Sequence, residues 1–487
     1  MKKRISVLIA MIMTLAMVMS AMSAVFAADA TVADSVYTGD YDLQDEYYEK
    51  YSKDKENGVT QYDVYTADAF YVLAGLISGS ADGFKGCTIS IKCDLVFNEG
   101  NASDWATTAP KNAWTSIGAS KAFEGTLDGE GHTISGIYIS KPSQDHVGLI
   151  AKATENAVIK NLGVINSYYL GASRVGGILG SIMNASAQAK VQVTGCYSNA
   201  IVIATKDTVS SGGWVSGGIV GWNASTDSVI SNCAFAGSAK GTQEVGGILG
   251  GGRTCNSTIK NCVNLGKIEA VGTSNAFAAG ISGNFYGGTI EKCYNAGTVL
   301  STKTEVVGSA IAGQIKNTAV EGAIKDCYIV TGLGQTPVVA GVNASSVSFS
   351  ATSVAASSIK GDGAKTALTA FDFDNEKIWS VRENDYPVPT AVKTILDGVA
   401  NIADPSVKDD TPPADDGNEN VSGDNSNNTP ETNEDTKASE TTAAPETTDV
   451  SDTEAEKGGC GASMMGASVA VVMAVGSVCA VVSKKRR

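Results

Sequence analysis

Short apolar runs separated by Gly, Asn, Ser and Thr fill the middle of the chain, and one arrangement of them recurs five times. Each unit has a Gly-Gly-apolar-Gly run followed by a Cys-centred turn, as at 245–250 and 261–266. Self-similarity at a period of roughly 30 residues is typical of solenoids. The aligned cysteines are Cys196, Cys233, Cys262, Cys293 and Cys327, spaced by 37, 29, 31 and 34 residues.

The apolar pieces predict strands, because they are short, rich in Val, Ile and Thr, and lack helical periodicity. One unit cannot bury its own apolar side, so we expect units to stack, with equivalent strands paired in parallel about 4.8 Å apart. Proline is absent from 143–336, as strands paired on both sides require. The pattern therefore predicts an all-β protein, a right-handed parallel β-helix, whose glycines adopt positive φ in the turns between faces.

The aligned cysteines should form a structural ladder on one inner face, because cysteine is a small and readily buried residue. Zinc sites need closely spaced ligands, and no CxxC pair is present. We therefore predict no cofactor and no metal. Disulfides between neighbouring rungs stay an alternative, although five cysteines cannot all be paired, and the redox state is left open. Cys255 lies outside the ladder.

A short N-terminal helix is predicted at 66–77, with Thr66 placed as its cap and Asp68 in its first turn. Its apolar positions are Phe70, Leu73, Ala74 and Ile77. An open solenoid end exposes unpaired strand groups, so we expect this helix to cover the first rung. The following segment, 87–97, alternates as a strand whose apolar face holds Ile89, Ile91, Cys93 and Leu95.

Both ends of the chain carry targeting signals. Residues 1–27 join a basic start, an apolar stretch and a small-residue site, which predicts a signal peptide cleaved after Ala27. The apolar segment at about 461–483 is long enough to cross a bilayer core of ~30 Å, and a basic tail follows it. Basic residues prefer the cytoplasmic side. We therefore expect a protein on the extracellular face of the cell envelope, anchored by its C-terminus.

The segment before this anchor is strongly acidic. Residues 401–457 hold 16 Asp or Glu against three Lys, together with half of the ten prolines. This composition predicts a disordered stalk. The segment carries −13 of the chain's net charge of −15, so the acidity says little about the partner of the folded domain.

Two segments, 114–118 and 123–140, carry the most specific family resemblance. They resemble the opening module "W-x-P-I-G … F-x-G-T-x-D-G-x-G-H-x-I" of bacterial surface proteins with GLUG repeats, with Ser116 where that module usually has proline. The repeat units resemble the GLUG repeats themselves, and 371–390 is similar to the closing segment that follows them. The resemblance covers about 62–392 and implies an adhesin-like protein, in a family whose function is mostly unassigned.

The C-terminal end resembles the Gly-Cys tails of some clostridial, Gram-positive surface proteins. Lys457-Gly-Gly-Cys-Gly461 stands where a Leu-Pro-x-Thr-Gly sorting signal would be expected. Cys460 is accordingly a candidate site of C-terminal processing, and the boundary of a membrane helix is the alternative reading of this residue. Wall linkage and membrane retention both stay open.

The predicted organisation has five parts. They are a signal peptide at 1–27, a polar linker at 28–61, a β-helix domain at 62–392, an acidic disordered stalk at 393–457 and an anchor at 458–487. The β-helix domain comprises the opening module at 62–142, the repeats at 143–336 and a closing segment at 337–392.

Several aromatic residues of the repeats would suit stacking on sugars or docking on a protein if they are exposed, because they offer a large area at small entropic loss. They are Trp214, Trp222, Tyr168, Tyr169, Tyr197, Tyr286 and Tyr294. For Tyr197 and Tyr294, which follow ladder cysteines, we favour a role in filling corners of the coil.

Three classes of function fit this pattern. The first is an adhesin-like binding protein for a host or bacterial surface glycan or protein, the second a polysaccharide lyase or hydrolase, and the third a structural spacer. Glycosidases need paired carboxylates, and the acids of 143–336 are scattered. GLUG-type repeats also adjoin immunoglobulin A1-specific zinc peptidases, but the His-Glu-x-x-His helix is absent and the two histidines are His132 and His146. We predict a binding protein without catalytic residues or a nucleic-acid partner.

Overall fold

The computed structural model describes residues 34–183, 190–206, 214–253, 257–272, 276–301, 308–315, 322–333, 335, 347–374 and 377–399. The predicted signal peptide with Ala27, Cys255, most of the stalk, and the apolar C-terminal segment with Cys460 lie outside these residues. Within the described part, no helix has both the length and the apolar character needed to cross a membrane.

The described chain is mostly β and winds into a parallel β-solenoid of about eight turns. Successive turns contribute equivalent strands to three parallel sheets of 18, nine and six strands, here called sheets 1, 2 and 3. The predicted parallel β-helix architecture is therefore confirmed, while its right-handed sense stays a prediction.

The strands of sheet 1 are Ser35–Val36, Gln61–Val64, Thr88–Ile91, Leu95–Val96, Thr126–Asp128, Thr133–Ser135, Val158–Lys160, Gly163–Ile165, Val191–Thr194, Tyr197–Ser198, Ser228–Ser231, Ala234–Phe235, Ser257–Lys260, Val263–Asn264, Gly288–Glu291, Tyr294–Asn295, Gly322–Thr331 and Val347–Ala355. Those of sheet 2 are Tyr138–Val147, Tyr168–Gly176, Ile201–Ala204, Val215–Gly217, Ser238–Gly241, Glu244–Gly246, Lys267–Ala270, Phe277–Ala279 and Val299–Ser301. Those of sheet 3 are Ile150–Ala153, Leu179–Ile182, Val220–Asn223, Leu249–Gly252, Ser282–Phe285 and Ala312–Ile315. A fourth, two-stranded antiparallel sheet pairs Trp379–Arg382 with Asp385–Pro389.

Like residues stack on like residues inside the solenoid. One column in sheet 1 consists of buried branched side chains in direct register: Val193, Ile230, Ile259, Ile290 and Ile324. Enclosing each such side chain contributes about 1.5–3 kcal/mol. The repeated apolar columns are therefore the main source of stability.

The five aligned cysteines lie on five successive turns. Four of them stand just before a short strand of sheet 1, and Cys327 lies within the strand Gly322–Thr331. All five are buried free thiols. The sulfur of Cys262 contacts the carbonyl of Ile230 on the preceding turn at 3.8 Å, and Cys293 contacts Ile259 in the same way. Burial raises the pKa of Cys196, Cys262 and Cys327, so these residues remain protonated thiols.

The residue before each cysteine, rather than the Gly-Gly pair, has the left-handed backbone conformation. These residues are Gly195, Asn232, Asn261, Lys292 and Asp326, with φ between 52° and 62°. Gly, Asn and Asp tolerate that region better than other residues. The expectation that the repeat glycines supply positive φ in the turns is therefore wrong for the Gly-Gly-apolar-Gly runs.

Those glycines are required instead by close approach of the backbone. A Cβ on Gly217 would lie 2.0 Å from the Val220 carbonyl oxygen, and one on Gly221 would lie 2.8 Å from the carbonyl carbon of Arg174 on the preceding turn. Gly218, between them, faces the interior, where a Cβ would lie 2.3 Å from the Phe235 ring. The run thus folds the end of a sheet 2 strand, such as Val215–Gly217, back against the sheet 3 strand that follows it, such as Val220–Asn223. We call the line along which the outer faces of these two sheets meet the seam.

Two helices precede the repeats: α1 at Tyr41–Glu56 and α2 at Ala67–Gly79. Helix α2 occupies the segment where a helix was expected, and the Thr66 hydroxyl accepts a hydrogen bond from Ala69 N–H at 3.1 Å. Helix α1 falls in 28–61, so the prediction of a polar linker there is wrong. Its contact with the core is made by tyrosine, because Tyr51 is buried and packs against Tyr62 at 5.9 Å.

The alternating segment at 87–97 forms two short strands rather than one. Thr88–Ile91 and Leu95–Val96 are separated by a bend, and both belong to sheet 1. The side chains expected on one face, from Ile89 to Leu95, are nevertheless all buried. The alternating sequence pattern of 87–97 therefore predicts the buried positions correctly. The bend at the corner of the coil keeps the same side of the chain facing the interior.

The C-terminal part of the domain, residues 354–399, runs back along the outside of sheet 1, and we call it the strap. It includes α3 at Gly363–Ala367, the antiparallel strand pair, and α4 at Thr390–Val399. Its apolar side chains form a second core with the outward column of sheet 1. That column is Gly163, Tyr197, Ala234, Val263, Tyr294 and Tyr328.

The strap corrects two expectations. Tyr197 and Tyr294 do not fill coil corners but face outward beneath the strap, where Tyr294 packs against Trp379 at 5.7 Å. Helix α4 also continues to Val399 with Ile395 and Leu396 buried, so the folded domain extends past the predicted boundary at 392.

Candidate binding surfaces

The aromatic residues that the repeat pattern proposed as a binding strip are mostly buried. Trp214 and Trp222 are buried, as are the four tyrosines Tyr168, Tyr169, Tyr197 and Tyr294. Only Tyr286 among the seven candidates is half-buried. The face of the solenoid therefore does not present the predicted strip.

Large exposed hydrophobic side chains concentrate elsewhere, in the N-terminal region. Among the described residues six are exposed, and five of these lie between 36 and 71: Val36, Tyr41, Tyr48, Tyr65 and Tyr71. The sixth is Leu300, near the other end of the solenoid. Sequence reasoning missed Val36, Tyr41 and Tyr48 because 28–61 was interpreted as a linker. The four-residue spacing of Tyr47 and Tyr51 was a helical signal that could have revealed α1.

A groove of about 650 Å³ lies between α1 and α2. Tyr48 from α1 and Tyr71 from α2 contribute to its lining, with exposed fractions of 58% and 38%. Gly75 and Gly79 also line it, and apart from the adjoining residues and backbone of α2 itself, no heavy atom lies within 4 Å of where their Cβ atoms would be. The helix surface is therefore bare at these two positions, which leaves room for a ligand.

Buried groups hold the α2 side of the groove rigidly. The Tyr71 ring lies 5.0 Å from Tyr37 and 6.2 Å from the buried Trp114. The buried Asp68 carboxylate accepts hydrogen bonds from the backbone N–H groups of Thr38 and Gly39, each at 3.0 Å. These contacts fasten the segment before α1 to the first turn of α2. An aromatic wall held in this way loses little entropy when it binds a ligand.

The groove carries little net charge. Asp45 and Lys55 line it, and the Lys55 ammonium is already paired with Asp82 at 2.9 Å. The remaining polar lining consists of neutral hydroxyl and amide groups, including Ser78, Ser80 and Thr115. Such a groove favours an uncharged ligand that has both apolar and hydroxyl-bearing surfaces.

The seam holds a group of ionisable residues formed by His146, Arg174 and Asp145. The imidazole Nδ1 of His146 lies 2.6 Å from the Ser181 hydroxyl. Arg174, one turn further on, forms an ion pair with Asp145 at 3.2 Å and lies over the Trp222 ring at 5.6 Å. Burial, together with the neighbouring Arg174 charge, lowers the pKa of His146 to about 4, so the ring is neutral at physiological pH.

The acids of the seam are too far apart for a glycosidase pair. Glu244 accepts a hydrogen bond from Asn284 at 2.7 Å. It lies three turns from Asp145, a separation of roughly 14 Å at ~4.8 Å per turn. The carboxylates of glycosidases are about 5–9.5 Å apart. The Ser181 hydroxyl beside His146 belongs to a fully buried side chain, which excludes it from direct contact with a polymer.

Two other acids of the solenoid are paired with bases on the surface. Asp128 pairs with Lys160 at 2.8 Å, and Asp227 pairs with Lys190 at 3.1 Å. His132 lies 3.3 Å from Asp94 at a corner of the coil. Across the part of the chain that the structure describes, no group of three His, Cys, Asp or Glu side chains could hold a metal ion.

These features define a class of protein: a parallel β-solenoid with a helix pair at its N-terminal end, a strap along one side and an aromatic groove between the helices. No family profile matches the chain. A stretch of 61 residues is 41% identical to halomucin of Haloquadratum walsbyi. That match covers 12% of this chain and 1% of halomucin, so the chain spans a very small part of that protein.

One solved structure is similar in outline. It is a Bacteroides ovatus protein classed by name among immunoglobulin A1 proteases, at 18% sequence identity. The alignment covers 63% of this chain and 86% of that chain, with a TM-score of 0.39. At this level the likeness carries no conclusion about activity.

Proposed function

We propose that the chain is an adhesin-like binding protein of the cell surface, in which the solenoid is a rigid support and the helix pair presents the binding site. The observation that carries this proposal is the concentration of exposed tyrosines around a groove at 36–71. A site held by packed secondary structure is more precise than one on loops. The resemblance to GLUG-repeat surface proteins supports the same function.

The helix pair has a second role in this proposal. Helix α2 joins two paired strands of sheet 1, Gln61–Val64 and Thr88–Ile91, and its apolar residues share one core with the solenoid interior. It thereby covers the first turn, as an end cap that prevents strand addition. Export by the signal peptide and anchoring by the C-terminal segment would present the groove outside the cell.

The test is binding of the full-length chain to an array of matrix proteins and glycans at physiological salt. We expect at least one ligand to bind, and the double variant Tyr48→Ala/Tyr71→Ala to lose that binding. Leu300→Ala is the matched control, because it removes an exposed hydrophobic side chain outside the helix pair. Binding that survives the double variant but not the control would place the site elsewhere, and a complete absence of ligands would favour the spacer.

A hydrolase remains the second candidate, and the contact between His146 and Ser181 is the observation that favours it. If the seam were catalytic, His146→Asn would abolish cleavage of polysaccharides or peptides by the purified chain. We expect no cleavage by the wild-type chain or by the His146→Asn variant, because Ser181 is enclosed and the acids of the seam are far apart.

A further inference from the structure

We infer that the groove between α1 and α2 binds a neutral saccharide. The inference rests on the proposed function and adds the chemical class of the ligand. It is carried by three properties of the groove: two tyrosine walls, two open glycines and a polar lining with almost no net charge.

The tyrosines and glycines together suit a flat, rigid ligand. Tyr48 and Tyr71 line the groove and are exposed, and Gly75 and Gly79 leave the α2 surface of the same groove bare. A sugar ring presents C–H groups on its faces, which pack on aromatic rings, and hydroxyl groups around its edge. The ring can therefore contact the tyrosines with its faces while its edge stays in contact with polar groups.

The lining supplies partners for those hydroxyl groups. Asp45 and Thr115 line the groove and are exposed, so their oxygens are accessible to a ligand. Ser78 contributes a half-buried hydroxyl, which accepts a hydrogen bond from Gly118 N–H at 3.2 Å and can still donate one. Carboxylate and hydroxyl oxygens are suitable partners for sugar hydroxyl groups.

The charges select against acidic sugars. The one basic group of the lining, Lys55, is held by Asp82 at 2.9 Å and lies over the Phe84 ring at 4.1 Å. A sialic or uronic acid would therefore bring its carboxylate into a groove that has an acid at Asp45 and no uncommitted base among its described lining residues. Two like charges brought close together repel each other, which weakens binding. An uncharged hexose or amino sugar with a blocked amine avoids this repulsion.

The experiment uses the full-length chain in a zwitterionic detergent without a sugar headgroup. Neutral oligosaccharides of glucose, mannose, galactose and N-acetylglucosamine are titrated at up to millimolar concentration, with sialylated and uronate oligosaccharides beside them. Calorimetry and saturation-transfer NMR report binding. We expect at least one neutral oligosaccharide to bind more tightly than every acidic one, and Tyr71→Ala to weaken that binding by about tenfold or more.

A pair of glycine variants separates occlusion of the groove from loss of the fold. Gly75→Gln in α2 places a side chain in the groove where the structure has open space, so the protein should fold and no longer bind. Gly398→Gln in α4 makes the same change at another helical glycine with open space and should bind normally. Circular dichroism and thermal unfolding confirm that both variants are folded.

The outcomes separate this inference from the proposed function. If an acidic saccharide binds best, or if neutral binding survives Gly75→Gln, the inference is wrong. If no saccharide binds but a protein ligand does, and Gly75→Gln abolishes binding of that protein, the proposed binding function stands and the inference of a saccharide ligand is wrong. If the array and the oligosaccharides all fail to bind, both are wrong.

Discussion

At the scale of single residues, the seam contains a group whose charge state is set by its surroundings. His146 has a left-handed backbone, with φ of 60°, and its ring contacts the buried Ser181 hydroxyl. Burial of the ring is the main reason that the pKa of His146 is lowered, the positive charges of Arg174 and Lys152 lower it further, and Asp145 partly offsets them. The folded protein therefore keeps the His146 ring neutral at pH values well below the ordinary pKa of histidine.

This leads to a pH-dependent stability. The unfolded chain binds a proton at His146 near pH 6.5 and the folded chain only near pH 4, so the free energy of unfolding falls as the pH drops through that window. After allowance for partial exposure we expect a loss of about 2 kcal/mol. Denaturant unfolding across pH 4 to 7 measures it.

His146→Asn should flatten that dependence, because asparagine tolerates a left-handed backbone and does not titrate. His132→Asn is the control, since these are the two histidines of the chain. NMR titration of the two imidazoles provides an independent measurement. A His146 resonance that titrates near pH 6.5 in the folded protein would contradict the expectation.

At the scale of the repeating element, each glycine of the Gly-Gly-apolar-Gly run has its own reason to be glycine. The first and third permit the close approach at the seam, and the second makes room for a side chain that crosses the interior. In successive turns that side chain is Ser198, Phe235, Asn264 or Asn295. Asn264 also donates a hydrogen bond to Asn295 at 2.6 Å, so these two interior amides partner each other across neighbouring turns.

Gly218→Ala should therefore strongly destabilise the protein. Its Cβ would lie 2.2 Å from the Gly247 carbonyl oxygen and 2.3 Å from Phe235, and neither the backbone nor a buried ring can move freely. We expect a loss of about 3 kcal/mol in the free energy of unfolding. Gly75→Ala, a helical position with open space, should instead gain about 0.5–1 kcal/mol. Chemical unfolding of both variants tests the contrast, and similar effects at the two sites would contradict it.

The elements also show what the sequence could and could not predict. Stacking and burial followed from the period, because an apolar repeat such as Ile230, Ile259 and Ile290 permits only one in-register arrangement. Helix α1 was missed because it reaches the core through tyrosines that resemble polar linker residues. A closing segment was predicted at 337–392, but its return along the outside of sheet 1 was not, because its partners are outward positions such as Ala234 and Val263, which vary between turns and have no period of their own. The groove lies between both helices, so it could not be predicted from a sequence analysis that did not include α1.

At the scale of the whole molecule, the strap brings the two ends of the described domain together. Asp34, at its start, and Val399, at its end, line the same small cleft beside α4. Ile395 lies against Gly163, and Ala391 lies against Gly195, so α4 packs on early turns of the repeats rather than on the last one. The later turns are therefore outside the direct path between the two ends.

This arrangement predicts how the domain responds to tension. With handles before Asp34 and after Val399, force acts first on α4 and the rest of the strap, while the interior columns stay packed. We expect an initial step of roughly 150 Å, from the strap at ~3.4 Å per residue, before any turn of the solenoid unwinds. Moving the second handle to Leu333 should remove that step, because force then enters through the strand Gly322–Thr331 of sheet 1 and no longer passes through the strap. Optical-tweezers traces in which strap and solenoid unfold in one event would show that the strap is not a separate mechanical unit.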